Sequence, residues 1–281
     1  MGNQFYISIP FLIIPQLLLA GVVVKFDKLN PILAKQGGVP IVGEMMASRW
    51  AFEALAVNQF KANEYFKNFY RSEKATSIAT YKKVYWIPEL QNKITKINNA
   101  LKDPSKKAEI EKDLILIKNE IIKEQTFLKG KYKFDGIEQL NPKEYTPAIG
   151  SSLKAFLERI NENYINVDNK AREQHDKMTQ KLSKELGGND KLVAFEDDYT
   201  NDALESFVLN DNDLGLRCLE YEGRLIQRKD PIYLDPTESN WGTAHFYAPN
   251  KRFMGQLFPT YWFNMAVIWL MSISLMVMLY F

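Results

Sequence analysis

The stretch Tyr261-Trp-Phe-Asn-Met-Ala-Val-Ile-Trp-Leu-Met-Ser-Ile-Ser-Leu-Met-Val-Met-Leu-Tyr-Phe281 carries no Lys, Arg, Asp or Glu. Crossing the hydrocarbon core of a bilayer takes about 20 predominantly apolar residues, and from Pro259 onward this segment has that length. Tyr261 and Trp262 at one end and Tyr280 at the other put amphipathic rings where the two membrane interfaces would lie. Residues 253–281 therefore predict a C-terminal transmembrane helix.

The opposite end of the chain repeats the pattern. All 36 Lys and Arg and all 34 Asp and Glu fall between Lys25 and Arg252. The averages, 46% hydrophobic and a net charge of +2, suit a soluble protein and conceal a division into three parts. Phe5 to Val24 is long enough for a first span, assigned to residues 1–26. Pro10 and Pro15 kink or break it, which is tolerated where neighbouring helices satisfy the freed backbone groups. A place in a larger bundle and a simple kinked anchor both fit. The segment lacks a basic n-region and an A-x-A cleavage site, so it reads as an uncleaved anchor. Tyr6 stands where a myristoylation signal needs Ser or Thr.

Between the spans the sequence predicts helices. After a loop punctuated by Asn30-Pro31 and Gly37-Gly38, the region 27–60 ends in Met-Met-Ala-Ser-Arg-Trp-Ala-Phe-Glu-Ala-Leu-Ala-Val-Asn-Gln-Phe60. Only Glu44, Arg49 and Glu53 are charged from Glu44 to Phe60, and Arg49 and Glu53 are an i,i+4 pair. Too short for a span, this helix fits an interfacial or re-entrant position, or equally a buried helix of the extramembrane domain. Residues 61–252 form the extramembrane domain. Leu90, Ile94, Ile97 and Leu101, then Ile110, Leu114, Ile117 and Ile121, lie at helical spacing on either side of Asp103-Pro104 and predict a helical hairpin. A third stripe runs Leu153, Leu157, Ile160, Tyr164, Val167, Ala171, Met178 and Leu182, and stops at Gly187-Gly188. A further helix covers Asp202 to Leu209. Leu216 to Leu234 fits helix or strand. The fold class is mainly α: two transmembrane helices flank a large extramembrane helical, coiled-coil-like domain.

The residues for most chemistry are missing. Gly38-Val-Pro-Ile-Val-Gly43 has the spacing of a phosphate loop, but Glu44-Met45 replaces its Lys and Ser or Thr. His175 and His245 are the only histidines and lie in no metal-binding spacing; Cys218 is the only cysteine and reads as passive. Interleaved charges give no basic patch for nucleic acid. No residue is assigned as catalytic, cofactor-binding or metal-binding, no cofactor is expected, and an enzyme is not expected. The domain is too long for charge to set topology.

Two segments, Ile-Pro-Phe-Leu-Ile-Ile-Pro-Gln-Leu-Leu-Leu-Ala-Gly-Val-Val-Val24 and Ser48-Arg-Trp-Ala-Phe-Glu-Ala-Leu-Ala-Val-Asn-Gln-Phe60, together resemble the end of the permease domain of ABC-2 type transporters of the white or ABCG-like group. The chain is most similar to bacterial proteins that fuse an ATP-binding cassette to such a permease, through Asp230-Pro-Ile-Tyr233, Ala244-His-Phe-Tyr-Ala-Pro249 and Ile268-Trp-Leu-Met271. The resemblance covers nearly the whole chain.

It implies a permease fragment in the cell (inner) membrane, multi-pass, with residues 25–252 facing away from the cytoplasm. The cassette and about four preceding helices of that family have no counterpart here. Its partners would be the lipid bilayer, a cassette and the remaining transmembrane helices, and a homo-oligomer is open. Arg49 to Phe60 would be the re-entrant or connecting helix near the external gate. The alternative is a membrane-anchored helical scaffold of the cell envelope.

Overall fold

The computed structural model describes residues 38–211, 217–236 and 240–280, together with 9–11, 13, 14, 16, 17, 20, 21 and 26. The kinked span expected over residues 1–26 lies largely outside the described residues. In chain order the elements are α1 (Ile41–Glu44), α2 (Ala47–Lys61), α3 (Phe66–Tyr81), a π-helical turn (Lys82–Trp86), α4 (Ile87–Ala100), a 3-10 turn (Pro104–Lys106) and α5 (Lys107–Phe127). There follow α6 (Pro147–Leu186), α7 (Asn189–Tyr199), α8 (Asp202–Leu209), β1 (Cys218–Tyr221), β2 (Arg224–Gln227), a 3-10 turn (Pro231–Tyr233), β3 (Asn250–Phe253), β4 (Gln256–Pro259) and α9 (Thr260–Tyr280). The protein is mainly α, and two short antiparallel hairpins, β1–β2 and β3–β4, are its sheets among the described residues.

The chain forms two compact units. One comprises residues 1–70, 182–213 and 230–281; the other comprises 71–181 and 214–229.

The second unit is a helical core with a hairpin on it. Leu90, Ile94 and Ile97 of α4, Leu114, Ile117 and Ile121 of α5, and Leu153, Leu157 and Ile160 of α6 are all completely buried, as their spacing predicts. Each such side chain contributes about 1.5–3 kcal/mol relative to an exposed one. Leu101, which the spacing places on the same stripe, caps α4 and is 37% exposed instead. The chain is already turning there towards Asp103, whose carboxylate accepts from the Ser105 N–H at 3.0 Å and caps the 3-10 turn before α5.

The π-helical turn has a local cause. Pro88 has no N–H to give to Val84, and its ring would crowd that carbonyl in a regular α-helix. The ladder widens just before it, and the Ile87 N–H bonds to the Lys82 carbonyl. The widened turn supplies three polar contacts to the core. Lys82 pairs with Glu124, Lys83 Nζ lies 2.6 Å from Asp168 Oδ2, and Trp86 Nε1 donates to Glu120 Oε2 at 2.6 Å. The β1–β2 hairpin completes the satisfaction of Glu120, since the Leu225 N–H donates to its Oε1 at 3.0 Å. Buried carboxylates survive in a core only when their lone pairs are occupied in this way.

The segment that fits helix or strand is thus a hairpin plus a 3-10 turn. Glu222 and Gly223, both at positive φ, make the tight connection that joins β1 to β2. Cys218 in β1 is free and half-buried, with its Sγ 3.2 Å from the Tyr81 hydroxyl. Helix α6 runs to Leu186 and ends at Gly187 and Gly188, both at positive φ, where their N–H groups bond the Ser183 carbonyl. The predicted glycine stop operates as an αL-type cap.

In the first unit, α2 packs along the first half of α9, and α8 packs on α2. Helix α9 is the one helix among the described residues that is long and apolar enough to cross a membrane, and 6% of its most apolar window is buried. A core helix of a soluble protein would be covered. Trp269, Leu270, Ile273, Leu275, Met276, Met278 and Leu279 instead lie exposed.

Candidate functional site: a buried ion cluster at the foot of the apolar helix

The i,i+4 pair of α2 is completely buried. Arg49 and Glu53 have no exposure, and Arg49 Nη2 lies 3.7 Å from Glu53 Oε2. Burying two charges requires stronger partners than each other at that distance. Glu53 Oε1 accepts from Lys251 Nζ of β3 at 2.7 Å, and Glu53 Oε2 accepts from Asn264 Nδ2 of α9 at 2.8 Å. The Asn264 amide also donates to the Trp50 carbonyl at 3.1 Å. Three elements, α2, β3 and α9, thus meet at one carboxylate.

Arg49 is held from the other side. Its Nη2 donates to Glu44 Oε1 at 3.3 Å, its Nη1 lies 3.2 Å from Glu44 Oε2, and its guanidinium stacks 4.0 Å from the centre of the Trp50 ring. The indole N–H of Trp50 in turn donates to the Glu44 carbonyl at 2.7 Å. Two acids face two bases, so the cluster is neutral overall. Among the described residues, Arg49 Nε and Asn264 Oδ1 have no hydrogen-bond partner.

Electrostatics keep Glu53 ionised. Burial opposes its charge, but Lys251 and Arg49 outweigh burial and hold its pKa below the ordinary carboxylate value. Lys251 is pushed down by burial and by the Arg49 charge, against the pull of Glu53. Arg49, Glu53, Lys251 and Asn264 are completely buried and engaged with one another or with Glu44. Chemically the cluster is a joint: it fixes the angle and register of α2 on α9.

The sequence places Arg49 and Glu53 on one helix face, and the structure confirms that face. Lys251 and Asn264 carry no local signal, because a single Lys in a four-residue strand and a single Asn in an apolar helix gain their meaning only from a partner some 200 residues away in the chain. Two further motif segments pack in the same unit. His245 Nε2 lies 2.8 Å from the Pro231 carbonyl, the Phe246 ring lies 6.5 Å from that of Phe52, and the Thr260 hydroxyl donates to the Ala248 carbonyl at 2.5 Å. Asp230 to Tyr233, Ala244 to Pro249, α2 and α9 therefore belong to one compact unit. Of the two histidines, His245 is used to tie the 3-10 turn to this unit, and His175 lies half-buried on α6.

Comparison of the chain with protein-family models, curated proteins and solved structures finds no match.

Proposed function

We propose that this chain forms the late part of the permease of an ABC-2 type exporter, with α9 as its last span and residues 1–26 as the span before it. It acts with an ATP-binding cassette and further transmembrane helices, and does not hydrolyse ATP alone. Its place is the cell membrane, with the central region facing away from the cytoplasm.

The observation that carries the reading is the buried ion joint between α2 and α9. Removing one member of such a pair costs about 3–5 kcal/mol, so α2 and the foot of α9 move as one body. A permease that alternates between inward-open and outward-open packings needs rigid bodies that rock, and a connecting helix fixed to the last span is one. Two further facts support it. Among the described residues, the motif segments Ser48 to Phe60, Asp230 to Tyr233, Ala244 to Pro249 and Ile268 to Met271 belong to this unit, and most of α9 presents apolar side chains that only lipid or other helices can cover.

The scaffold alternative has one observation in its favour: α6 is 40 residues long, and much of its second half, including Arg172, Glu173, Asp176 and Lys177, is exposed and charged. Such a surface suits a polar spacer or a binding partner.

The test is purification from native membranes through a tag after Phe281. Recovery of an ATP-binding cassette together with multi-span helices is expected. A stable homo-oligomer in high yield, with no cassette, overturns the permease reading in favour of the scaffold, and ATP hydrolysis by the purified chain alone overturns both.

A further inference from the structure

The β3–β4 hairpin turns through Met254 and Gly255, at φ 48° and 82°. Two consecutive residues at positive φ make the tight turn whose twist suits a hairpin, and the first of them is ordinarily Asn, Asp or Gly. A methionine there accepts backbone strain, because its Cβ crowds the carbonyl in the left-handed region. What it presents in return is an apolar side chain at the tip, 74% exposed.

β3 keeps Lys251 buried, and beyond Gln256 the exposed residues of β4 are apolar. Leu257 is 46% exposed, Phe258 39% and Trp241 77%. Trp241 belongs to the same structure: it bridges to Phe253, the Gly242 N–H bonds the Arg252 carbonyl at 2.8 Å, and the Met254 N–H bonds the Asn240 carbonyl at 3.0 Å.

The hairpin is continuous with α9 and folded back beside it. β4 ends at Pro259 and α9 begins at Thr260, yet the Phe253 ring, next to the tip, lies 6.1 Å from the Phe263 ring in the first turn of α9. Gly242 lies against the same ring, where a Cβ would stand 2.2 Å from Phe263 Cζ. Phe253, next to the tip, therefore lies against the first turn of α9, the turn that also carries Tyr261 and the exposed Trp262.

We propose that the β3–β4 hairpin with Trp241 is a membrane-interface anchor, which enters the headgroup and acyl-chain boundary of the leaflet in which α9 begins. Tryptophan suits that depth, with an apolar body and one N–H donor, and an unbranched methionine fills the irregular space between acyl chains. The proposal rests on α9 being a span.

The test uses the full chain with Cys218, its single cysteine, replaced by Ser. Single cysteines are then introduced by Met254→Cys, Leu257→Cys, Met276→Cys and Ser105→Cys. Each variant is labelled with an environment-sensitive fluorophore and reconstituted in vesicles of phosphatidylcholine and phosphatidylglycerol. The probes at 254 and 257 are expected to emit further to the blue than the probe at 105, and to be quenched by iodide several-fold less. Nitroxide lipids labelled near the headgroup should quench them more than lipids labelled near the chain end, and the probe at 276 should show the reverse order.

If the probes at 254 and 257 are as open to iodide as the one at 105, the anchor is overturned while deep quenching at 276 keeps the span. Protection from both iodide and lipid nitroxides means that protein covers the hairpin, and also overturns it. Absence of lipid quenching at 276 overturns the span and the anchor together.

Discussion

Lys251 Nζ and Glu53 Oε1 lie 2.7 Å apart with neither side chain exposed, across 198 residues of sequence. In water such a pair contributes little. Here each charge has been taken out of solvent, and each depends on the other to remain ionised.

Removing one side of this pair should be far worse than removing both. Lys251→Met leaves Glu53 buried with the Arg49 charge 3.7 Å away and the Asn264 amide as its hydrogen-bond donor, and is expected to cost about 3–5 kcal/mol, whereas Lys251→Met with Glu53→Leu should recover a large part of that loss. Thermal melts of the detergent-solubilised chain measure both. Equal destabilisation of single and double variants would mean that the cluster is held by packing rather than charge.

Trp86 separates hydrogen bonding from packing in the second unit. Trp86→Phe keeps most of the buried ring but removes the donor 2.6 Å from Glu120 Oε2. A hydrogen bond to a charged group contributes about 1.5–3 kcal/mol, and the variant should lose that amount in denaturant unfolding, with faster amide exchange in the β1–β2 hairpin that shares Glu120.

Acid should weaken the second unit first at its carboxylates. Burial works against ionised Asp168, but Lys83 and Arg172 hold its pKa below the ordinary value; burial likewise opposes Glu220, which Lys112 and Lys93 lower. Because both groups bind protons more weakly when folded, their contribution is complete above the unfolded values of about 4 and is lost as pH falls through the folded ones. Amide exchange of α6 should accelerate below about pH 4, and Asp168→Asn should flatten that acid limb. An unchanged profile in the variant would assign acid lability elsewhere.

Ile97 and Leu101 occupy successive places on one sequence stripe, with opposite surroundings. Ile97→Ala should cost about 2–5 kcal/mol through the cavity it opens, while Leu101→Ala should stay within about 0.5 kcal/mol. Similar losses at both positions would show that α4 continues past Ala100 and buries Leu101.

Much of the helical architecture is legible in the sequence because it rests on local periodicity. Leu90, Ile94 and Ile97 face one way in any α-helix, and Asp103-Pro104 and Gly187-Gly188 stop helices by their own backbone preferences. Helices α3 and α7 are less legible, since neither carries a sustained apolar stripe, and aromatic residues such as Tyr65, just before α3, and Phe195 of α7 find one another only in the fold. The hairpins are hidden for a related reason: strands of four residues are too short to show alternation, and Glu222 and Met254 are not the residues a tight turn announces.

The sequence by itself determined that charge is confined between Lys25 and Arg252, that Thr260–Tyr280 is uncharged and predominantly apolar, and that Arg49 and Glu53 share a helix face. These follow from composition and from the 3.6-residue repeat, which need no partner. Only the tertiary structure decided that Glu53 would be answered by Lys251 and Asn264, that Pro88 would open a π-turn aimed at three acids, and that the β3–β4 hairpin would fold back beside α9. A buried polar group takes its stability from whatever the fold brings within about 3 Å of it, and local sequence does not carry that information.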